Sequence, residues 1–289
     1  MARAIVFVHY DRDGVFDDHV VHALRQYRRL ADRLVVVSAS ARALPPALEP
    51  IVDTFIPRDN VGYDFCSWRT GLESLGDVAQ FDEVVCANDS VYGPLFDLAP
   101  AFSDPRIAAA DFWGMCLSDQ GTKRRGGRPE PHLQSWFFVM RRPLLESAAF
   151  RQFWNSVIPL DRKEEIIDRY EVGMSQVFQE AGFRMAGLYD ARLAGRFSWR
   201  EMLPHLSPLE PGRSWRLYKK GHRPRTNHSE LAWDRLIAAG VPFVKVGVFR
   251  VNYYGLNLRR VLHGVGASTP YDIGLIRRHL ARVGSKPLD

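Results

Sequence analysis

The stretches RDNVGYDFCSWRTGL (58–72) and DEVVCANDSVYGPL (82–95) decide how this chain folds. In the second, Glu83 to Ala87 reads as a buried strand that runs straight into a polar break, Asn88-Asp89-Ser90, closed by Tyr92-Gly93-Pro94. A carboxylate at the carboxyl end of a central strand is where an open α/β sheet places its ligand site. The first stretch sets Asp59, Asn60, Gly62 and Asp64 just ahead of the amphipathic segment that feeds that strand. Two polar clusters, each at the mouth of a hydrophobic element, predict the two walls of one pocket.

Working outward, AIVFVHY (4–10) predicts a first strand, the periodic apolar positions of 17–31 a helix, and RLVVVSAS (33–40) a second strand. Asp17 or Asp18 is the expected helix cap. Strand, helix and strand within 40 residues predict a parallel sheet built by right-handed crossovers. Further strands are expected near 51–56, 82–87, 111–116, 135–142 and 242–249. Helices are expected near 65–76, 97–103, 143–157, 163–181, 229–239 and 272–283. A Gly/Arg-rich loop spans 118–132. Residues 190–230 carry Pro, Gly, Arg and isolated Trp without a period, so a mobile insertion or lid is expected there. The domain reading is a catalytic core over 1–190, with a basic extension over 191–289 completing the same domain.

With 46% apolar and 12% aromatic residues the chain can bury a substantial core, which argues against disorder. It has no apolar run long enough for a transmembrane helix. The apolar run after Met1 is short for a signal sequence and fits a strand better. Cys66, Cys86 and Cys116 lack zinc spacing and read as reduced core residues, so the cytoplasm is the expected compartment. Residues 191–289 hold 18 Lys/Arg against 6 Asp/Glu, a balance of +12, whereas the whole chain is +6. The densest part is RSWRLYKKGHRPR (213–225). Such a run attracts phosphates or anionic surfaces, or is simply solvated. No reading helix or stacking platform points to nucleic acid. There is no GxxxxGK[ST], and no tight GxGxxG follows the first strand, so P-loop and dinucleotide sites are not expected.

The quoted stretches, with HLQSWFFVMRR (132–142), YEVGMSQVFQEAGF (170–183), GVPFVKVGVFRVN (240–252) and YDIGLIRRHLARV (271–283), resemble the rhamnan synthesis F family of glycosyltransferases. The resemblance spans nearly the whole chain in the expected order. It implies a GT-A-like α/β fold, a mixed and mainly parallel sheet flanked by helices. It also implies a nucleotide-sugar-dependent, inverting transferase that moves a deoxyhexose, L-rhamnose from dTDP-rhamnose, onto a glycan or lipid-linked glycan of a cell-surface polysaccharide such as O-antigen lipopolysaccharide. Other glycan-assembly enzymes and the inner face of the cytoplasmic membrane are the implied company. A catalytically inactive polysaccharide- or nucleotide-sugar-binding module is the alternative.

The resemblance places Asn88-Asp89-Ser90 where related enzymes carry an acidic motif for a divalent cation, Mg²⁺ or Mn²⁺, which compensates the departing diphosphate. Only Asp89 is charged, and Asn-Asp-Ser is also ordinary turn chemistry. Asp59, Asn60, Gly62 and Asp64 fall where the family lines the nucleoside and sugar end of the donor site; Asp64 is equally a helix cap. Glu171 aligns with the general base and is expected at a helix start, where the dipole keeps it ionised. His132 is the competing base. His228 stands where some members supply a late metal ligand. Arg216, Lys219 and Lys220 are read as a lid over the diphosphate. Trp68, Phe137 and Phe138 are expected in the core, and Trp136 either there or stacked on an acceptor sugar.

Overall fold

Strand β1 (Arg3–His9) is the centre from which the sheet grows, and its Ala4-Ile5-Val6-Phe7-Val8 run is buried on both faces. That near-continuous apolar character is what a parallel strand covered by helices requires. Helix α1 (Asp18–Arg28) follows, then β2 (Arg33–Ser38), parallel to β1, and β3 (Thr54–Pro57), parallel to β2. Asp17 does occupy the N-cap position of α1, but its side chain makes no cap bond; its carboxylate is taken by Arg282. Helix α2 (Tyr63–Ser74) then carries the chain back across the sheet to β4 (Glu83–Asn88), which pairs in parallel with the other side of β1. The reversal makes the gap between β1 and β4 the topological switch point, where open α/β sheets bind ligands.

The sheet is completed by β6 (Phe112–Ser118), β7 (His132–Leu133), β8 (Phe137–Arg141) and β9 (Met185–Asp190), after a short β5 (Val91–Tyr92). Its eight strands run β3-β2-β1-β4-β8-β6-β7, with β9 parallel to β6. Strands β7 and β8 are antiparallel to their neighbours, so the sheet is mixed and mainly parallel, flanked by helices, as expected. The computed structural model describes residues 1–120, 126, 128, 130–221, 223 and 226–284. Parts of the 118–132 loop and of the basic run 213–225 thus lie outside the described residues.

Several expected elements differ in detail. The helix expected at 97–103 is a 3₁₀ stretch, Ala99–Ser103. The one expected over 143–157 is two, α3 (Arg142–Leu145) and α4 (Ala148–Asn155), because Ser147 restarts the helix by accepting the Phe150 N–H at 3.0 Å. The segment 163–181 is helical but contains a π turn, Ile167–Val172, between α5 (Lys163–Ile166) and α6 (Gly173–Glu180).

The largest corrections lie in the basic half. The described residues of 190–230 are not a structureless insertion: among them are α7 (Trp199–Met202), α8 (Pro211–Gly221) and α9 (His228–Leu231). After α10 (Trp233–Ala238), the apolar run 242–249 yields only a two-residue strand, β10 (Val244–Lys245), paired with β5, and then α11 (Val246–Arg250). Helices α12 (Leu258–Ser268) and α13 (Ile273–Arg282) end the described chain. One apolar layer covers each face of the sheet. A third core gathers Leu217, Trp233, Phe249 and Leu262 of the C-terminal half around Tyr92 and Leu95. Cys66, Cys86 and Cys116 are buried free thiols. Among the described residues no helix is long and apolar enough to cross a membrane.

Candidate functional site

Two cavities open at the carboxyl ends of β1 and β4 and share Ser90, Lys163, Glu230 and Lys245 as a common wall. The first, about 500 Å³, is bounded by the start of α2, the β4 end and the π turn. The second, about 610 Å³, lies between the loop after β1, Asp89, α11 and α13.

In the first cavity the Asn88 amide donates to Asp64 Oδ2 at 2.8 Å, while Asn88 Oδ1 accepts from the Ser90 N–H and hydroxyl at 3.1 and 2.6 Å. Both walls predicted from 58–95 therefore meet through one hydrogen-bonded triplet. Asp64 is a first-turn residue of α2 rather than its cap, because Gly62 holds the N-cap position in a left-handed conformation. Burial raises the Asp64 carboxyl; Asn88 and the cations Lys163 and Lys245 oppose that, and Glu171 adds to it.

Glu171 faces Asp64's cavity from the π turn, in the interior of a helical stretch and not at its start. The N-terminal dipole argument for its ionisation therefore fails. What fixes it is Ser135, whose N–H and hydroxyl both donate to Oε2, at 2.9 and 2.5 Å. Oε1 takes no hydrogen bond among the described residues. One oxygen is anchored and the other is available to accept a proton. The π turn offsets this side chain from regular helical spacing, a device often found at functional sites.

His132 lines the same cavity, buried in β7 with Nδ1 2.6 Å from the Glu130 carbonyl oxygen. Trp136 touches the cavity but is only 3% exposed, and its indole N–H donates to Gln134 Oε1, so it is a core residue rather than a sugar platform. Trp68, Phe137 and Phe138 are buried as expected.

Asp89 belongs to the second cavity and accepts the Tyr10 N–H at 2.6 Å. Its carboxyl is pushed up to about 8, chiefly by burial, with the Asp64 and Asp11 charges adding to the effect. Lys163, Lys245 and Arg250 bring positive charge to this cavity. The loop after β1 is held by His9, whose ring nitrogens meet Ser38 Oγ at 3.0 Å and the Val15 carbonyl at 3.1 Å. Burial lowers His9 to about 4, so it is neutral at physiological pH.

Other expected site residues are elsewhere. Asp59 is 81% exposed and pairs with Arg42, and Asn60 is exposed; neither lines a cavity. Gly62 lies behind the wall, where a Cβ would stand 2.3 Å from Cys66 Sγ. His228 is turned away, its Nδ1 2.9 Å from the Tyr189 hydroxyl, while its neighbours Asn227 and Glu230 reach the first cavity. It is not placed to join Asp89 on a metal. Lys219 and Lys220 line neither cavity; Lys220 donates to the Tyr253 carbonyl at 3.1 Å with its ammonium 3.2 Å from that ring's centroid. They do not form a lid over the site because α8 packs through Leu217 into the third core.

Sequence reasoning missed the loop after β1 and the cations Lys163, Lys245 and Arg250. The HYDRDG that ends the first strand carried a signal, since β1 and β4 flank the same switch point.

Among the described residues no three His, Cys, Asp or Glu are grouped to hold a metal ion. The donor set therefore fits a divalent cation only in the way Mg²⁺ is commonly held, by one or two carboxylates together with substrate phosphates. Asp89 lines the second cavity together with Asp11, Asp13 and Asp17, and those three are paired with Arg282.

A family profile described as rhamnan synthesis protein F matches residues 34–200. Virulence protein VirA of Vibrio anguillarum is 25% identical over 228 residues, covering 77% of this chain and 70% of the relative. Among solved structures, 4-diphosphocytidyl-2C-methyl-D-erythritol synthase of Anaerococcus prevotii covers 65% of this chain and 88% of its own, at 10% identity and a TM-score of 0.40. Glucosyl-3-phosphoglycerate synthase of Mycobacterium tuberculosis, solved with Mn²⁺ and UDP, covers 65% and 70% at 10% identity and a TM-score of 0.35.

Proposed function

Because the chain belongs to the rhamnan synthesis protein F family, we propose that it is an inverting glycosyltransferase of GT-A-like arrangement. It moves a deoxyhexose, L-rhamnose from dTDP-rhamnose, onto a glycan or lipid-linked glycan of a surface polysaccharide, in the cytoplasm. The observation that supports this best is the pair of cavities joined at the switch point. One brings Arg12, Lys163, Lys245 and Arg250 together, with Asp11, Asp13 and Asp17 of its wall paired to Arg282, and suits a nucleoside diphosphate; the other presents the carboxylates of Asp64, Glu164, Glu171 and Glu230 and suits a sugar and its acceptor.

In this reading Lys163, Lys245 and Arg250 neutralise the diphosphate, and the Tyr10 amide orients Asp89. A divalent cation bound there, by Asp89 and the phosphates, supplies positive charge against the leaving group. The Asp64–Asn88–Ser90 triplet orients the sugar. Glu171 Oε1 accepts the acceptor hydroxyl's proton as the glycosidic bond forms and the bond to the diphosphate breaks on the opposite face of the sugar.

A thermal-shift panel of dTDP-, UDP- and GDP-sugars, with and without Mn²⁺, tests the assignment. A ligand at 100 times its dissociation constant stabilises by about 2.7 kcal/mol. The dTDP-sugar is expected to give the largest shift and, with acceptor, to release dTDP. Silence across the whole panel would overturn the reading. A shift without nucleotide release under any acceptor or metal condition would favour a binding module, to which the lone acid at 88–90 is the pointer.

A further inference from the structure

We propose that the face formed by α7, the 203–209 segment and α8 is a docking surface for an anionic lipid bilayer. Helix α8 is amphipathic in an unusual sense. It buries Leu217 and sets Gly221 against the Met202 side chain, yet presents aromatic residues outward. Trp215 is 62% and Trp199 50% exposed, and both pack on Tyr218, with ring centroids 5.4 and 5.5 Å from it. Next to this stack, Leu203 is 60% exposed and Leu209 93%. Pro208, Pro211 and Leu206 join the aromatics around a shallow groove of about 560 Å³. Indole and phenol rings with an apolar body and a polar edge are suited to the headgroup level of a membrane.

Charge complementarity selects the occupant. Residues 196–221 carry six Lys/Arg and only two acids, Glu201 and Glu210. Both acids are already engaged, Glu201 with Arg235 and Glu210 with Arg213. Arg200, Arg216 and Lys219 are exposed on the same elements as the aromatics. A rim of cations around exposed Trp and Leu fits anionic lipid, whereas a dissolved sugar or phosphate would leave the apolar side chains in water. The face also adjoins the donor cavity. Arg213, Arg216 and Lys220 donate to the carbonyls of Gly255, Asn252 and Tyr253, one to five residues beyond Arg250 and Val251 of the cavity wall.

Co-sedimentation of the full chain with vesicles of phosphatidylcholine, alone or mixed with phosphatidylglycerol, tests this without any sugar substrate. Binding is expected only to the mixed vesicles and is expected to weaken with salt. Each cation near such a surface is worth about fivefold in affinity, so Arg200→Gln with Lys219→Gln should lose about 25-fold. Trp215→Ser should lose at least about tenfold, and so should Leu209→Ser, whose side chain is too exposed for the fold to depend on it. Equal binding to both vesicle types, no binding, or variants that bind like the wild type would each overturn the proposal. So would self-association through this face, seen by sedimentation, in the absence of vesicle binding.

Discussion

The half-buried Asp89 has its carboxyl pushed above the ordinary value near 3.8, to about 8, chiefly by loss of hydration, with the Asp64 and Asp11 charges adding to the effect. A carboxyl raised in the folded state takes up a proton on folding, so its contribution to stability falls as pH rises from about 4 to 8. Asp89→Asn removes that slope. Urea titrations should show the variant gaining on the wild type toward pH 8 and matching it near pH 4; parallel profiles would contradict the assignment. The same proton has to leave when a cation takes the carboxylate, so joint binding of Mn²⁺ and nucleotide should strengthen toward pH 8 in the wild type alone. Turnover of the variant should fall at least about a hundredfold, the scale of losing a main electrostatic stabiliser. Glu171→Gln keeps the Ser135 contacts within reach but removes the proton acceptor. Donor binding should persist while transfer falls by about two to four orders of magnitude. If His132→Ala loses transfer while Glu171→Gln keeps it, the two roles exchange.

Helix α2 shows how an element sets the site. Gly62 starts it at a φ of 75°, and an added Cβ would meet Cys66 Sγ at 2.3 Å and Pro159 Cα at 2.9 Å. Gly62→Ala therefore combines backbone strain with a clash and should cost at least about 1 kcal/mol. Because Tyr63, Asp64 and Phe65 line the first cavity, ligand affinity should fall with the melting temperature; an unchanged melting temperature would refute the strain argument. Elements of this kind were legible in the sequence where burial is two-sided, since β1, β2 and β4 are near-continuous apolar runs bounded by turn residues. Legibility ended where an apolar run is short. Residues 242–249 read as a strand but divide into β10 and α11, because a run of that length does not distinguish the two by period. It ended also where Pro204, Pro208 and Pro211 interrupt 190–230: α7 is a single turn, and α8, though eleven residues long, buries only Leu217 and Gly221 and so shows no apolar period. At the site, the 58–95 stretches located Asp64, Asn88, Asp89 and Ser90. Asp59 and Asn60 went astray because a polar loop reveals nothing of which side chains turn inward.

The two ends of the described chain close on the same cavity. Arg282 of α13 pairs with Asp11, Asp13 and Asp17 around the loop after β1, and Arg278 pairs with Asp18. Behind this contact the rings of His19 and His279 lie 4.5 Å apart, and His279 Nδ1 is 2.6 Å from the Tyr92 hydroxyl of the third core. Burial depresses His19 to about 3 and His9 to about 4, and His279 is lowered by the same cause. Far from the cavity, His205 is lowered to about 4, again chiefly by burial. Their folded values lie below the unfolded value near 6.5, so the unfolded chain binds more protons in that window. Stability from keeping them neutral is full above about pH 6.5 and is lost as pH falls toward 4, the reverse of the Asp89 contribution. Each extra proton bound by the unfolded chain steepens the loss by about 1.4 kcal/mol per pH unit. With several histidines against the raised carboxyls of Asp64 and Asp89, the acid side should dominate: denaturant titrations should show stability dropping steeply as pH falls below 6.5 and declining more gently as pH rises from 6.5 to 8. His19 gives the sharpest check, because its Nδ1 has no hydrogen-bond partner among the described residues. His19→Gln should flatten the acid limb by about one proton's worth, and an unaltered limb in a folded variant would show that His19 is protonated in the native protein.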